Sequence, residues 1–447
     1  TRWVQFFHKV CIMAQTILDF HLTTTNEKLT PRSGVIILGE YLKGLGLEKL
    51  CNSHLPLPLN HKGYNPFEFV YPLVLMLHSG GRVIDDIREI KLDYALKQSL
   101  NIKNIPTASG IIKWLKRTGL AGVYGIEAIN KTLMERYLKR ITLHSDEDLI
   151  LDIDATVIEA HKVTSKYTYK MVPGYTPILG HINGGYLIAS EFRDGNIAPA
   201  DTNLEFIKKC VQYLPKNKKL KWLRADSATY QAEVFNYCDD NNINFAIGGQ
   251  LDKSVVKQIN QISNWEELSK YEDIGEFIHT MTHTKNAFRM IVIRRNITPM
   301  LPHLEDILSD KEKAQYHKER FYVMATNNNT LSKEEIIKLY RQRGETSENK
   351  IKEFKNGFNM DYLPSRDFIS NALYFQIGTL AYNLFILFKT ILDENLQHHT
   401  VKTIRYKIYN IAGKVISHSR KTILKVNDEF IEILQRIRYK AHEASIE

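Results

Sequence analysis

The stretch Leu149-Ile150-Leu151-Asp152-Ile153-Asp154-Ala155-Thr156 sets two carboxylates in a run of strand-forming apolar residues. Strand side chains alternate between faces, so Asp152 and Asp154 project together while Leu151, Ile153 and Ala155 fill the opposite face. A carboxylate in an apolar strand is costly unless something answers it: an Arg or Lys, a hydrogen-bond network, or a divalent cation. A second run, Leu220-Lys221-Trp222-Leu223-Arg224-Ala225-Asp226-Ser227, also reads as a strand ending on a carboxylate. Two aspartates on neighbouring strands can converge on one hard cation. With a third acid from a helix, such a set holds two divalent cations, Mg²⁺ or Mn²⁺, and serves in-line displacement at phosphorus.

Around these strands the pattern alternates. Residues 186–192 and 244–247 read as strands, and residues 204–214 and 230–238 as helices. That alternation predicts α/β layering around a mixed sheet. Extended runs at 277–282, 288–294 and 321–326 predict a β-rich insertion. Ser332 and Glu335 then form a capping box that opens a helix running toward Arg343. Upstream, residues 31–141 are helical in pattern. Thr107 is a candidate N-cap for a short helix carrying Lys113, Lys116 and Arg117, which suits either insertion beside DNA or a plain basic surface.

The domains expected are an arm over 1–30, a helical DNA-binding region over 31–145, a catalytic core over 146–250 and 329–395, the β-rich insertion over 251–328, and a basic helical region over 396–447. In that last region Lys402, Arg405, Lys407, Lys414, Arg420, Lys421 and Lys425 occur with no acid among them, which would face phosphates if DNA lies there. The formal net charge of +10 fits an anionic partner, with nucleic acid the first candidate. Cys11, Cys51, Cys210 and Cys238 show no metal-ribbon or disulfide spacing and fit a reducing cytoplasm. The opening Val4-Gln5-Phe6-Phe7 lacks the form of a secretory signal. Residues 372–388 approach membrane length, but Gln376, Thr379 and Asn383 interrupt them, which predicts a buried helix and no membrane.

The third acid is expected in Tyr340-Arg341-Gln342-Arg343-Gly344-Glu345-Thr346-Ser347-Glu348, continuing to Lys355. Tyr340, Arg343, Glu348 and Lys355, taken with Asp154 and Asp226, resemble the DDE transposases of bacterial insertion sequences. In that family's signature three residues separate the Arg from the Glu, whereas four do here. The chain is most similar to the insertion-sequence group numbered thirteen-eighty, over roughly residues 30–425. The resemblance implies an RNase H-like catalytic domain with Asp154, Asp226 and Glu348 as catalytic metal ligands for two Mg²⁺ or Mn²⁺ ions. It implies that Tyr340, Arg343 and Lys355 grip DNA near the cut. The partners implied are terminal inverted repeats, target DNA and a second copy of the chain. Asp152 is the alternative first acid and Glu345 the alternative third. On one continuous helix the extra residue would rotate Glu348 by about 100° relative to Arg343, so a break at Gly344 with a restart capped by Thr346 or Ser347 is expected. Two rivals remain: a nuclease of the same fold that only hydrolyses, and a DNA-binding protein without activity. ATP is not implied, because no phosphate-binding loop occurs.

Overall fold

The computed structural model describes residues 18, 20–59, 63–142, 148–295, 320–419 and 421–446. The Val4 to Phe7 run, Cys11, most of the expected arm over 1–30, and part of the insertion lie outside the described residues. Among the described residues nine strands form one mixed sheet. They are β1 (Leu149–Ala155), β2 (Ile178–Ile182), β3 (Tyr186–Glu191), β4 (Leu220–Ala225), β5 (Asn244–Gly248), β6 (Glu266–Ser269), β7 (Glu272–His279), β8 (Phe288–Arg295) and β9 (Arg320–Thr326). Their order is β6-β7-β8-β9-β5-β4-β1-β2-β3. The centre is parallel, β1 to β4 and β4 to β5, and the flanks are antiparallel.

The strands expected as a β-rich insertion within the α/β domain extend its core sheet. Met324 and Ala325 of β9 pair with Gly248 and Ile247 of β5. The reason lies in their composition. Ile291, Ile293 and Met324 bury one face with Trp222 and Ala246, while Met290, Val292, Val323 and Ala325 bury the other. A strand apolar on both faces is stable only inside a covered sheet.

Alternation sorts β1 in the same way. Leu149, Leu151 and Ile153 enter the larger core. Ile150 faces the smaller cluster, and Asp152 and Asp154 share its side by strand alternation. Helix α2 (Lys333–Arg341) covers that side with Ile336 and Ile337. The expected capping box is present: Ser332 accepts from the Glu335 amide at 3.2 Å, and the Glu335 carboxylate accepts from the Ser332 amide at 2.8 Å.

The helical region contains Ser33–Gly44, Pro66–Ser79 and the long α1 (Ala108–Thr142). Thr107 accepts from the Gly110 amide at 3.2 Å, and Gly119, at φ 56°, kinks α1 into two pieces. Lys113, Lys116 and Arg117 are exposed on the first piece. The apolar stretch near residue 380 is α4 (Phe368–Lys389), buried along its length against α1, Pro66–Ser79 and β3.

Its polar residues have a use. Asn383 accepts from the Leu187 amide and donates to the Leu187 carbonyl, both at 2.9 Å, and donates to Asn130 at 3.0 Å. Gln376 donates to the Ser190 carbonyl at 2.9 Å. The edge strand β3 is thus sealed by side chains that imitate a tenth strand. Asn383→Leu would strand a buried N–H and a buried C=O. A loss of about 2–3 kcal/mol in urea denaturation is expected, against little change for an exposed control such as Asn395→Leu.

The basic tail over 396–447 has the expected helices, Val401–Ile404 and Asp428–Ile446, but between them the helical expectation is corrected by a hairpin, Gly413–His418 paired with Lys421–Val426. Lys28–Thr30 adds a third strand to it. Val415, Ile416, Thr422 and Ile423 are β-formers, and that local preference overrides the charge pattern. Arg405 also departs from the phosphate-facing expectation. It turns inward, donating to the Leu77 and His78 carbonyls at the end of Pro66–Ser79, at 2.7 and 2.6 Å.

Candidate active site

Strand β1 runs parallel to β4 with Asp152 beside Arg224 and Ile153 beside Ala225. One residue further along, Asp154 and Asp226 leave the sheet from adjacent strand ends on one face. Asp152 is not free to join them. Arg224 grips it in a buried bidentate pair, Nε to Oδ1 and Nη2 to Oδ2, both at 2.7 Å. Arg224 also donates to the Leu339 carbonyl at 2.6 Å, and Thr346 donates its hydroxyl to Asp152 at 2.7 Å. The two carboxylates of the opening motif therefore do different things. Asp152 braces the helix on the sheet, and Asp154 meets Arg343.

The helix supplies the rest. After α2 the chain does not break at Gly344 as expected. Gly344–Glu348 is a π-turn, in which the Asn349 amide bonds back five residues to the Gly344 carbonyl, and α3 (Asn349–Gly357) follows directly. Such a turn takes in one residue more than an α turn. The extra residue between Arg343 and Glu348 is absorbed there, and both side chains stay on one face. Arg343 proves this by reaching both acids: Nη2 lies 3.0 Å from Asp154 Oδ2, and Nη1 lies 3.7 Å from Glu348 Oε1. Its Nη2 also donates to the Ile153 carbonyl at 3.2 Å. Thr346 and Ser347 do not act as caps. Thr346 bonds Asp152, and Ser347 is buried. Glu345 faces elsewhere, toward a cleft of about 520 Å³ shared with Lys352 and His398.

Asp154 is mostly buried, its side chain 18% exposed. Burial raises its carboxyl to about 6, with Asp226 and Glu348 adding to the rise and Arg343 opposing it. Asp226 accepts from the Ala228 amide at 3.0 Å, so it caps the short turn after β4 while sitting at the cleft. Tyr340 is half-buried, and its phenol is pushed upward by burial and by all three acids, with Arg343 opposing. A cleft of about 380 Å³ opens beside it, between Asp226, the Gly248-Gly249 floor and the β8–β9 wall. Lys355 donates to the Val157 carbonyl at 2.7 Å and to Thr156 at 3.3 Å, just beyond Asp154. Burial lowers its ammonium below the usual lysine range.

Sequence reasoning missed Arg224, Thr346 and Tyr169. Arg224 had a signal, since it precedes Asp226 by two residues as Asp152 precedes Asp154. Tyr169 had none. It comes from a loop, and burial, with Asp154 and Asp226 adding to it, raises its phenol.

Among the described residues no three acid, histidine or cysteine side chains close on one point. Instead the Arg343 guanidinium bridges Asp154 and Glu348. The donor set still has the chemistry a hard cation takes: Arg343 reaches Asp154 and Glu348, Asp226 follows the strand paired beside that of Asp154, and burial, with Asp226 and Glu348 adding to it, holds Asp154 toward its protonated form.

The family model described as transposase DDE domain group 1 matches residues 19–439. No curated protein matches the chain.

Proposed function

Because this chain belongs to the transposase DDE domain family, we propose that Asp154, Asp226 and Glu348 are the acids with which it cuts and joins the ends of a bacterial insertion sequence. The meeting of two strand ends and one π-turn on a single face of the sheet carries this reading. Asp154, Asp226 and Glu348 would hold two divalent cations, Mg²⁺ or Mn²⁺. When bound, the ions would activate the attacking oxygen and stabilise the leaving oxygen at phosphorus.

The chain's own residues position the DNA. Arg343, which balances Asp154 and Glu348 here, presents a planar fork suited to a phosphate beside the cut. Tyr340 keeps its proton at neutral pH and can donate it in a hydrogen bond to a phosphate oxygen. Lys355, fixed at the end of β1, holds a positive charge next to the first acid. Positioning and electrostatics then supply most of the acceleration. Water is the first nucleophile, and the freed 3′-hydroxyl is the second. We read Tyr340, Arg343, Glu348 and Lys355 as the signature of group thirteen-eighty lengthened by one residue. The partners proposed are the element's inverted repeats, bound in part by the exposed basic face of α1, then target DNA, and a second copy of the chain in a bacterial cytoplasm.

Joining separates a transposase from a nuclease of like fold. With Mg²⁺, a pre-cut end bearing the inverted repeat that flanks the gene should become linked to a target plasmid. Glu348→Gln should lower joining by about 10²- to 10³-fold, with Glu345→Gln close to wild type. Hydrolysis of DNA without joining would select the nuclease. The reverse ranking of the two glutamates would move the third acid to Glu345.

A further inference from the structure

Between β1 and β2 the chain leaves the main sheet and builds a flap. Pro173–Tyr175 pairs on one side with Ile158–Glu159 and on the other with Lys166–Tyr167. The flap is anchored firmly. Tyr175 is fully buried, Thr176 donates to the Asp194 carbonyl at 2.7 Å, and Lys166 reaches Asp194 at 2.8 Å. At its tip a tight turn closes through Met171 N to the Thr168 carbonyl at 2.9 Å, with Met171 in the left-handed region at φ 58°. That conformation is unusual for a side chain other than Gly or Asn.

What the flap displays is out of keeping with its rigidity. Tyr167 is 68% exposed, Met171 78%, Val163 86% and Tyr169 49%. Apolar groups gathered on a well-anchored element mark a contact surface. Its position identifies the contact. The flap springs from the end of β1 just past Asp154, its root closed by the Thr156 amide on the Pro177 carbonyl at 2.9 Å and held by Lys355 on the Val157 carbonyl at 2.7 Å. Lys162 sits over the Tyr362 ring at 5.8 Å. Aromatic faces interleaved with lysines beside a phosphate-cutting site match the unpaired strand of a DNA end, whose bases stack on rings while its backbone meets the positive charge.

Resting on the transposase reading, we propose that residues 158–175 form a stacking platform for unpaired bases at the DNA end being cut. The platform favours opening of the terminal base pairs and carries the strand toward Asp154.

The test compares a short mixed-sequence duplex, fully paired or forked by a few unpaired bases at one end. Binding is read by fluorescence anisotropy without divalent ions, so chemistry plays no part. Wild-type protein should bind the fork more tightly by roughly tenfold per stacked base. The Tyr167→Ala, Met171→Ser double variant should lose that preference while its affinity for the paired duplex stays near wild type. Tyr167→Phe, which keeps the ring, should retain the preference. No preference in the wild type overturns the proposal, as does a double variant that keeps it or weakens on both duplexes alike. A double variant that falls from dimer to monomer would assign the tip to a second copy instead. If the fork preference behaves as expected but the wild type neither cuts nor joins DNA with Mg²⁺, the platform stands and the catalytic reading falls.

Discussion

Asp154→Asn should abolish cutting of DNA ends, by about 10²- to 10³-fold or more, and should at the same time make the folded chain more stable at neutral pH. The first effect follows from removing a charged oxygen donor at the centre of the acid set. The second follows from the cause of its raised carboxyl. Burial, reinforced by Asp226 and Glu348, sets Asp154 at about 6 in the fold against 3.8 as its ordinary value. Between those values the folded chain holds a proton that the unfolded chain has released. Its stabilising share is therefore complete at low pH and is lost as pH rises through about 6. At pH 7.5 the ionised carboxylate costs up to about 3 kcal/mol, which asparagine avoids while Arg343 keeps Glu348 and the Ile153 carbonyl. Thermal melts at pH 7.5 and pH 4 should show the variant ahead at the first and level with wild type at the second. DNA binding in a gel-shift assay should persist. A variant that cuts normally removes Asp154 from the site.

Arg224→Met should cost about 3–5 kcal/mol, the range for breaking a buried ion pair by removing one partner. Asp152, 3% exposed, would be left with the Thr346 hydroxyl as its remaining bond among those described above. The Leu339 carbonyl would lose its donor where α2 gives way to the π-turn. Because this pair fixes the helix to the sheet, cutting should fall along with the denaturation midpoint. Arg224→Lys should recover little of either, since an ammonium cannot reproduce the bidentate grip. Joint replacement of Arg224 and Asp152 by Met and Leu should recover stability beyond the single variant, since no buried charge is then left alone. A single variant as stable as wild type would show that the helix is held by its apolar face alone.

The strands bearing Asp154 and Asp226 were legible because apolar runs of this length, with period-two alternation, have few other ways to fold. The helix starting at Ser332 was legible because its cap is written in local chemistry. Asp154 was preferred to Asp152 only through a family resemblance, since the two share a face and differ in what the neighbouring strand puts opposite. Arg224 pairs with Asp152 and leaves Asp154 to Arg343, and that pairing is a matter of register, which no local pattern encodes. The hairpin at the C-terminal side was hidden beneath its lysines, whose charge says where a surface lies and nothing about its backbone. The insertion strands were recognised as extended, but their pairing with β5 depends on a contact across many residues. Likewise the polar residues of α4 were read as breaks in a span, and it took the bare edge of β3 to give them their purpose.

The π-turn at Gly344–Glu348 bears on how relatives of this chain are to be found. A pattern with rigid gaps would pass over any sequence in which a wider turn has taken up an insertion, although its side chains still line up. Gaps in such patterns are better set by angular phase around the helix than by counting letters. A search that allows one added position before the glutamate, and asks only that Arg and Glu share a side, should recover sequences that strict spacing discards.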